Sequence, residues 1–170
     1  MSSKKNEIDL AIEFATKKFN SVNLNNHFLR VLAVLQNEFH IEDLELLIAA
    51  ILHDTLEDTN TTYEELEKTF SKNVAELVQE VSHPKNYNKE QKIEFYEKLK
   101  TISPKAKMIK LADFADNLRN IINIRKTEPE ALYHNQYILW IRDFLNTCPE
   151  SNAKNLVFEL TKKLEAYVTK

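Results

Sequence analysis

Leu44-Glu45-Leu46-Leu47-Ile48-Ala49-Ala50-Ile51-Leu52-His53-Asp54-Thr55-Leu56-Glu57-Asp58-Thr59 is the stretch that decides the fold. From Leu44 to Leu52 almost every residue is apolar, so a helix here is greasy on all sides, and such helices lie inside a fold. Its end carries His53, Asp54, Glu57 and Asp58. Burying four ionisable groups is costly unless something compensates them. A bound metal ion is the simplest compensation, because one imidazole with several carboxylates is a ligand set that borderline-to-hard divalent ions accept.

Helical periodicity extends outward from this segment in both directions. Ile8, Ile12, Ala15 and Phe19 mark one face of a first helix, followed by a polar break from Asn20 to Asn26. A second helix is expected from about Phe28 to Phe39, and the buried helix from near Glu42 to around Asp54. Thr61, Tyr63 and Glu64 suggest a capping box for the next helix. Ser71 and Asn88 read as caps of two more, with Pro84 ending the run between them. Ser103-Pro104 is a cap followed by Pro at the first helical position. Pro129 opens a further helix carrying Tyr133, Tyr137, Trp140, Ile141 and Phe144. A last helix runs from Leu156 to Tyr167. The expected fold is all-α, a compact helical bundle, with residues 1–170 forming one domain.

Composition narrows the function classes. There is no glycine, which excludes dinucleotide folds and P-loops, where glycine lets the backbone approach a phosphate. The formal charge is −3 and the pI about 6.0, with no broad basic face, so duplex nucleic acid is not the expected partner. A small anionic substrate needs only a local cluster of Lys and Arg. The lone cysteine, Cys148, cannot form an internal disulfide, which points to a reduced, cytoplasmic setting. Neither a signal peptide nor a run near the roughly 20 apolar residues of a membrane span is evident.

The chemistry concentrates in two motifs. On one helix, His53 and Glu57 would share a face, as would Asp54 and Asp58. Lys110-Leu111-Ala112-Asp113-Phe114-Ala115-Asp116-Asn117-Leu118-Arg119 repeats the device, with Asp113 and Asn117 on one face among core residues. The two helices could meet at one cation, with His27 as a third contribution. His27, His53, Asp54 and Asp113 would then leave positions open for water and a phosphate oxygen. A metal brings the pKa of bound water towards neutrality, and Glu57 and Asp58 become candidates to orient that water or move its protons. Arg30 and Lys110 are the favoured phosphate contacts, each one helical turn or less from a proposed ligand. Lys17, Lys18, Lys107, Arg119 and Arg125 read mainly as exposed charges.

The pattern His53-Asp54-x-x-Glu57-Asp58-Thr59 with Lys110-Leu111-Ala112-Asp113-x-x-x-Asn117-Leu118-Arg119 resembles the HD-domain hydrolases of the RelA/SpoT type. Within them it is most similar to the small stand-alone alarmone hydrolases. The similarity runs from about Asp9 to about Phe144, and the Ser103-Pro104-x-Ala106-Lys107 lead-in agrees. The resemblance implies an all-α HD-domain bundle that binds Mn²⁺ and hydrolyses the 3′-pyrophosphate of (p)ppGpp to GDP or GTP and pyrophosphate. It implies His27, His53, Asp54 and Asp113 as metal ligands and Glu57 and Asp58 as the acids acting on water. It places Asn117 near the ribose and Tyr137 near the substrate. It assigns no role to Asp116, which reads as a solvated or salt-bridged residue.

One stretch departs from the family. Members usually carry a basic, Gly-containing loop ending in Tyr-x-x-His-Pro, whereas this chain has Phe19-Asn20-Ser21-Val22-Asn23-Leu24-Asn25-Asn26-His27-Phe28. A different nucleotide, such as an adenosine phosphate derivative, is therefore a second reading. A non-catalytic helical module with a structural metal is a third. The bland alternatives are a helix end whose carboxylates cap the next turn, a solvent-facing His27, and a purely core role for the Tyr133, Tyr137 and Trp140 stripe. His40, His83 and His134 read as surface residues.

Overall fold

A computed structural model describes residues 2–20, 26–83, 86–127 and 135–168. Among these every regular element is a helix, without a strand. Its segments are α1 (Ser2–Phe19), α2 (His27–Asn37), α3 (Leu44–Leu52), α4 (Thr55–Asp58), α5 (Tyr63–Thr69), α6 (Lys72–Val81), α7 (Lys89–Leu99), α8 (Pro104–Thr127), α9 (Asn135–Asn146) and α10 (Asn152–Val168). None of the described helices is long and apolar enough to cross a membrane.

Why α3 is apolar on every side is answered by its neighbours. It packs against α1, α2, α6 and α8 at once, and every residue from Leu46 to Leu52 is buried. The facing stripes are Ala11, Ala15 and Phe19 of α1, Val31, Leu32, Val34 and Leu35 of α2, and Ile109, Ala112 and Ala115 of α8. Asp43 starts α3 by accepting a hydrogen bond from Leu46 N at 3.1 Å. Helix α8, the longest, also packs against α2, α6 and α10. The end of α3 therefore opens where α2 and α8 meet.

That end differs from the continuous helix expected through Asp54. Helix α3 stops at Leu52, His53 and Asp54 form a turn, and Thr55–Asp58 is a separate short helix. Two side chains take up the last carbonyls. Thr55 Oγ1 donates to Leu52 O at 2.6 Å, and His53 Nδ1 donates to Ala50 O at 2.8 Å. Such local side-chain bonds compete with helix continuation. His53 and Glu57 accordingly do not sit as i and i+4 on one helix face.

The other boundaries are mostly as expected. Ser71 caps α6, and Asn88 and Gln91 form a capping box at α7. Thr62, not Thr61, caps α5, because Thr61 is buried and shares a 2.7 Å hydrogen bond with Thr59. Helix α10 starts earlier than Leu156, at Asn152, where Ser151 Oγ accepts from Lys154 N at 3.2 Å. The expected breaks or starts at Pro84 and Pro129 lie outside the described residues, as do Tyr133, His134 and most of the Asn20–Asn26 break.

Candidate metal centre and its pocket

Three separate segments converge at the open end of α3. His27 is the first residue of α2, His53 follows α3, and Asp113 lies midway along α8. One ligand atom from each falls within 4.8 Å of the others. His27 Nε2 is 3.1 Å from Asp113 Oδ1 and 3.9 Å from Asp54 Oδ2. His53 Nε2 is 3.0 Å from Asp54 Oδ1 and 3.9 Å from Asp113 Oδ1. The imidazole centroids are 5.2 Å apart.

The residues fit a divalent cation on one further observation. His53 is only 2% exposed, and its Nδ1 is occupied by the Ala50 carbonyl. Among the described residues the remaining Nε2 is buried without a hydrogen-bond partner. Asp54 Oδ1 is near it but out of line for a hydrogen bond. A buried, unsatisfied ring nitrogen flanked by two carboxylates is the donor set a divalent ion completes once it displaces any proton there.

Electrostatics agree. Burial disfavours charge on each group, yet the opposite charges outweigh it. The Asp54 and Asp113 carboxylates lift His53 to about 9 against burial. Asp113, acting against the burial of His27, raises that imidazole as well. Asp113 is itself held well below the usual carboxylate range, with Lys110 the largest influence opposing its burial. These directions favour positive charge on the two imidazoles, between the carboxylates where a cation would sit. Asp113 is further fixed by Lys110 Nζ on Oδ2 and by Asn117 Nδ2 on Oδ1 at 2.6 Å.

A pocket of about 270 Å³ opens on this group. Its lining includes His27, Asp54 and Asp113 on one side, Glu57, Asp58 and His83 on another, and a wall of Tyr87, Tyr96, Phe114 and Tyr137. A second pocket of about 220 Å³ shares His27, Asp54 and Asn117 with the first and adds Phe19, Phe28, Arg30 and Asn120. A cleft of about 520 Å³ between α9 and α10, lined by Arg142, Leu145 and Phe158 among others, is larger. It contains none of the convergent imidazoles, so chemistry rather than size locates the site.

Residues 8–140 match the family model described as HD domain. The chain belongs to the HD-domain family. The guanosine-3′,5′-bis(diphosphate) 3′-pyrophosphohydrolase MESH1 of Drosophila melanogaster is 36% identical over 136 residues, covering 79% of this chain and 75% of the relative. Its counterpart in Danio rerio is 37% identical over 129 residues, covering 75% and 72%. A solved structure described as a metazoan ortholog of SpoT that hydrolyzes ppGpp and plays a role in starvation responses has a TM-score of 0.78 at 28% identity. It covers 92% of this chain and 94% of its own.

In this HD-domain protein the remaining candidate residues surround the same pocket or lie close to it. Glu57 and Asp58 reach the pocket from α4. Glu57 is bound at both oxygens by His83, through the backbone N–H at 2.9 Å and ring Nε2 at 2.8 Å. Asp58 stands on the rim, and partial burial together with the Asp54 and Glu57 carboxylates raises its carboxyl pKa. His83 is a correction to the surface reading. Its ring lies against Tyr87 at a tilt of 37° with centroids 3.8 Å apart, meets Phe95 edge-on and lines the pocket. His40 is exposed, as read.

Asn117 and Tyr137 line the main pocket, and burial pushes the Tyr137 hydroxyl well above its ordinary range, keeping it a neutral donor. Trp140 of the same stripe stacks on Tyr96 at 4.1 Å. Lys110 is buried against Asp113 and lines the main pocket, while Arg30 lines the second. Other cations have structural partners: Lys18 pairs with Glu65, Lys107 Nζ donates to Thr147 O, and Arg119 makes a two-pronged pair with Glu38. Lys17 lines a separate pocket beside Phe14. The Arg125 side chain is outside the described residues.

Asp116, read as a solvated or salt-bridged residue, is indeed salt-bridged, but sequence reasoning missed its place beside His27. It is buried and contacts His27 and Arg30. Its spacing of three residues from Asp113 on one helix was the available signal.

Proposed function

We propose that this protein is a metal-dependent hydrolase that removes the 3′-pyrophosphate of ppGpp-like nucleotides, giving GDP or GTP and pyrophosphate. The observation that carries the reading is the Nε2 of His53, buried and unpartnered among the described residues, which converges with His27 and Asp113 and lies 3.0 Å from Asp54 Oδ1, with two further acids on the same pocket. The activity for which the MESH1 relatives are named supports the substrate class.

His27, His53, Asp54 and Asp113 would hold the ion, proposed to be Mn²⁺. When bound, such an ion acidifies water and polarises a phosphoryl oxygen. The chain's own groups supply the rest. Glu57, fixed by His83, orients the attacking water and accepts its proton. Water adds to the 3′ phosphorus, the bond to the ribose 3′-oxygen breaks, and that oxygen takes up a proton. Asp58, with its raised carboxyl pKa, serves the proton transfer from the rim. Arg30 and Lys110 provide positive charge for the phosphates, and Asn117 and Tyr137 face the nucleoside. A reduced Cys148 supports a cytoplasmic location.

Incubating the protein with Mn²⁺ and ppGpp tests the reading. The products should be GDP and pyrophosphate. Absence of turnover with the metal demonstrably bound removes the alarmone assignment. A second reading, hydrolysis of another nucleotide, is favoured by the short Asn20–Asn26 stretch, which lacks arginine and glycine. A panel of guanosine and adenosine 3′- and 5′-phosphates separates the two.

A further inference from the structure

We infer that Asp116 is a positioning residue of the metal centre, fixing the His27 ring so that Nε2 rather than Nδ1 is presented to the ion. Asp116 Oδ2 lies 2.6 Å from His27 Nδ1. An ionised carboxylate only accepts hydrogen bonds, so Nδ1 keeps its proton for Asp116, and when an ion takes the place of the proton facing Asp113 the lone pair it meets is on Nε2. Nε2 is the atom directed at Asp113 and Asp54.

Asp116 is itself firmly held. It is 4% exposed, and Arg30 Nε donates to its oxygens at 2.9 and 3.1 Å. Asn120 Nδ2 adds a contact at 3.2 Å. Arg30 and His27 bonding lowers the Asp116 carboxyl pKa despite its burial.

The arrangement is a cross-brace between two helices. His27 and Arg30 are three apart on α2, and Asp113 and Asp116 are three apart on α8, so each pair lies about one turn apart on its helix. His27 bridges the two acids, one through each ring nitrogen. Asn26, the residue before α2, makes no side-chain capping bond there. The two imidazoles also differ in support. His53 Nδ1 faces a neutral carbonyl, whereas His27 Nδ1 faces a carboxylate. A carboxylate behind a ligating imidazole fixes its tautomer and raises its basicity.

The inference rests on the metal half of the proposed function and needs no nucleotide. Its test is Mn²⁺ affinity by titration calorimetry of the full chain, for the wild type, Asp116→Ala and Asp116→Asn. The Co²⁺ absorption spectrum serves as a signature of ligand geometry, and a thermal melt of each apo protein reports folding. Asp116→Ala is expected to bind Mn²⁺ about 10- to 100-fold more weakly, with an altered Co²⁺ band. Asp116→Asn keeps an acceptor for Nδ1–H and is expected to recover part of that affinity and the wild-type band. If Asp116→Ala does not fold, Asp116→Asn decides alone, with affinity reduced and band retained. A folded Asp116→Ala within twofold of wild type overturns the inference, as does an Asp116→Asn equal to wild type or no better than the alanine variant. Failure of the wild type to take up any ion defeats the functional reading itself, and this inference with it.

Discussion

Both carboxylate oxygens of Glu57 are bound by a single residue, His83, one through its main chain and one through its ring. The neighbouring Ser82 Oγ, with one proton, lies 2.7 Å from Val78 O and 3.0 Å from His53 O, which brings the end of α6 against the metal-binding turn as well as the acid. The Ser82–His83 segment thereby sets the position of Glu57 relative to His53. Replacing His83 with Ala should lower kcat for ppGpp by roughly 10- to 100-fold, since misplacing a catalytic group by about 1 Å costs that order of rate. KM and metal content should change little. Steady-state kinetics with metal analysis checks this, and an unchanged kcat would show that Glu57 needs no such support.

Glu57 and Asp58 line the pocket without belonging to the convergent group itself. Glu57→Ala and Asp58→Ala should each abolish turnover while retaining wild-type metal content. Loss of the ion in either variant, measured by elemental analysis, would move that residue into the ligand set.

Proton release on metal loading follows from the raised His53. A pKa of about 9 in the metal-free fold, against 6.5 for an unperturbed histidine, means the imidazole is protonated at pH 7. An ion must displace that proton. Calorimetry at pH 7 in buffers of different ionisation enthalpy should show net proton release, and Mn²⁺ affinity should rise with pH up to about 9. Stability of the metal-free protein has the opposite sign. Because the folded pKa is the higher one, the native state binds the extra proton between 6.5 and about 9, and stability falls as pH rises through that window. Denaturant unfolding with and without Mn²⁺ should show this slope in the metal-free protein only.

The turn that presents His53 depends on Thr55, which is fully buried and bonded to Leu52 O. Thr55→Val keeps the shape but leaves that carbonyl unpaired, at a cost of about 1–3 kcal/mol. It should also weaken metal binding by disturbing the His53–Asp54 turn. Urea unfolding together with a Mn²⁺ titration measures both effects.

The helical fold was legible because helix α3 is apolar on all sides, and only a helix surrounded by others satisfies that pattern. The paired motifs at His53 and Asp113 likewise pointed to segments that do converge. Three details were not readable. The break after Leu52 depends on Thr55 and His53 bonding to nearby carbonyls, and both residues are also compatible with a continuing helix. His83 reads as a loop histidine until the fold brings Glu57 to it from a residue far earlier in the chain. Asp116 has no identifiable partner in sequence because His27 and Arg30 lie on another helix, more than eighty positions away.

Metal stoichiometry is the most direct test of the central claim. Freshly purified protein, dialysed and reloaded with Mn²⁺, should contain one ion per chain by elemental analysis, and His53→Gln and Asp113→Asn should each reduce that content sharply. Wild-type protein that retains no ion after loading, or variants that retain as much as wild type, would contradict the account.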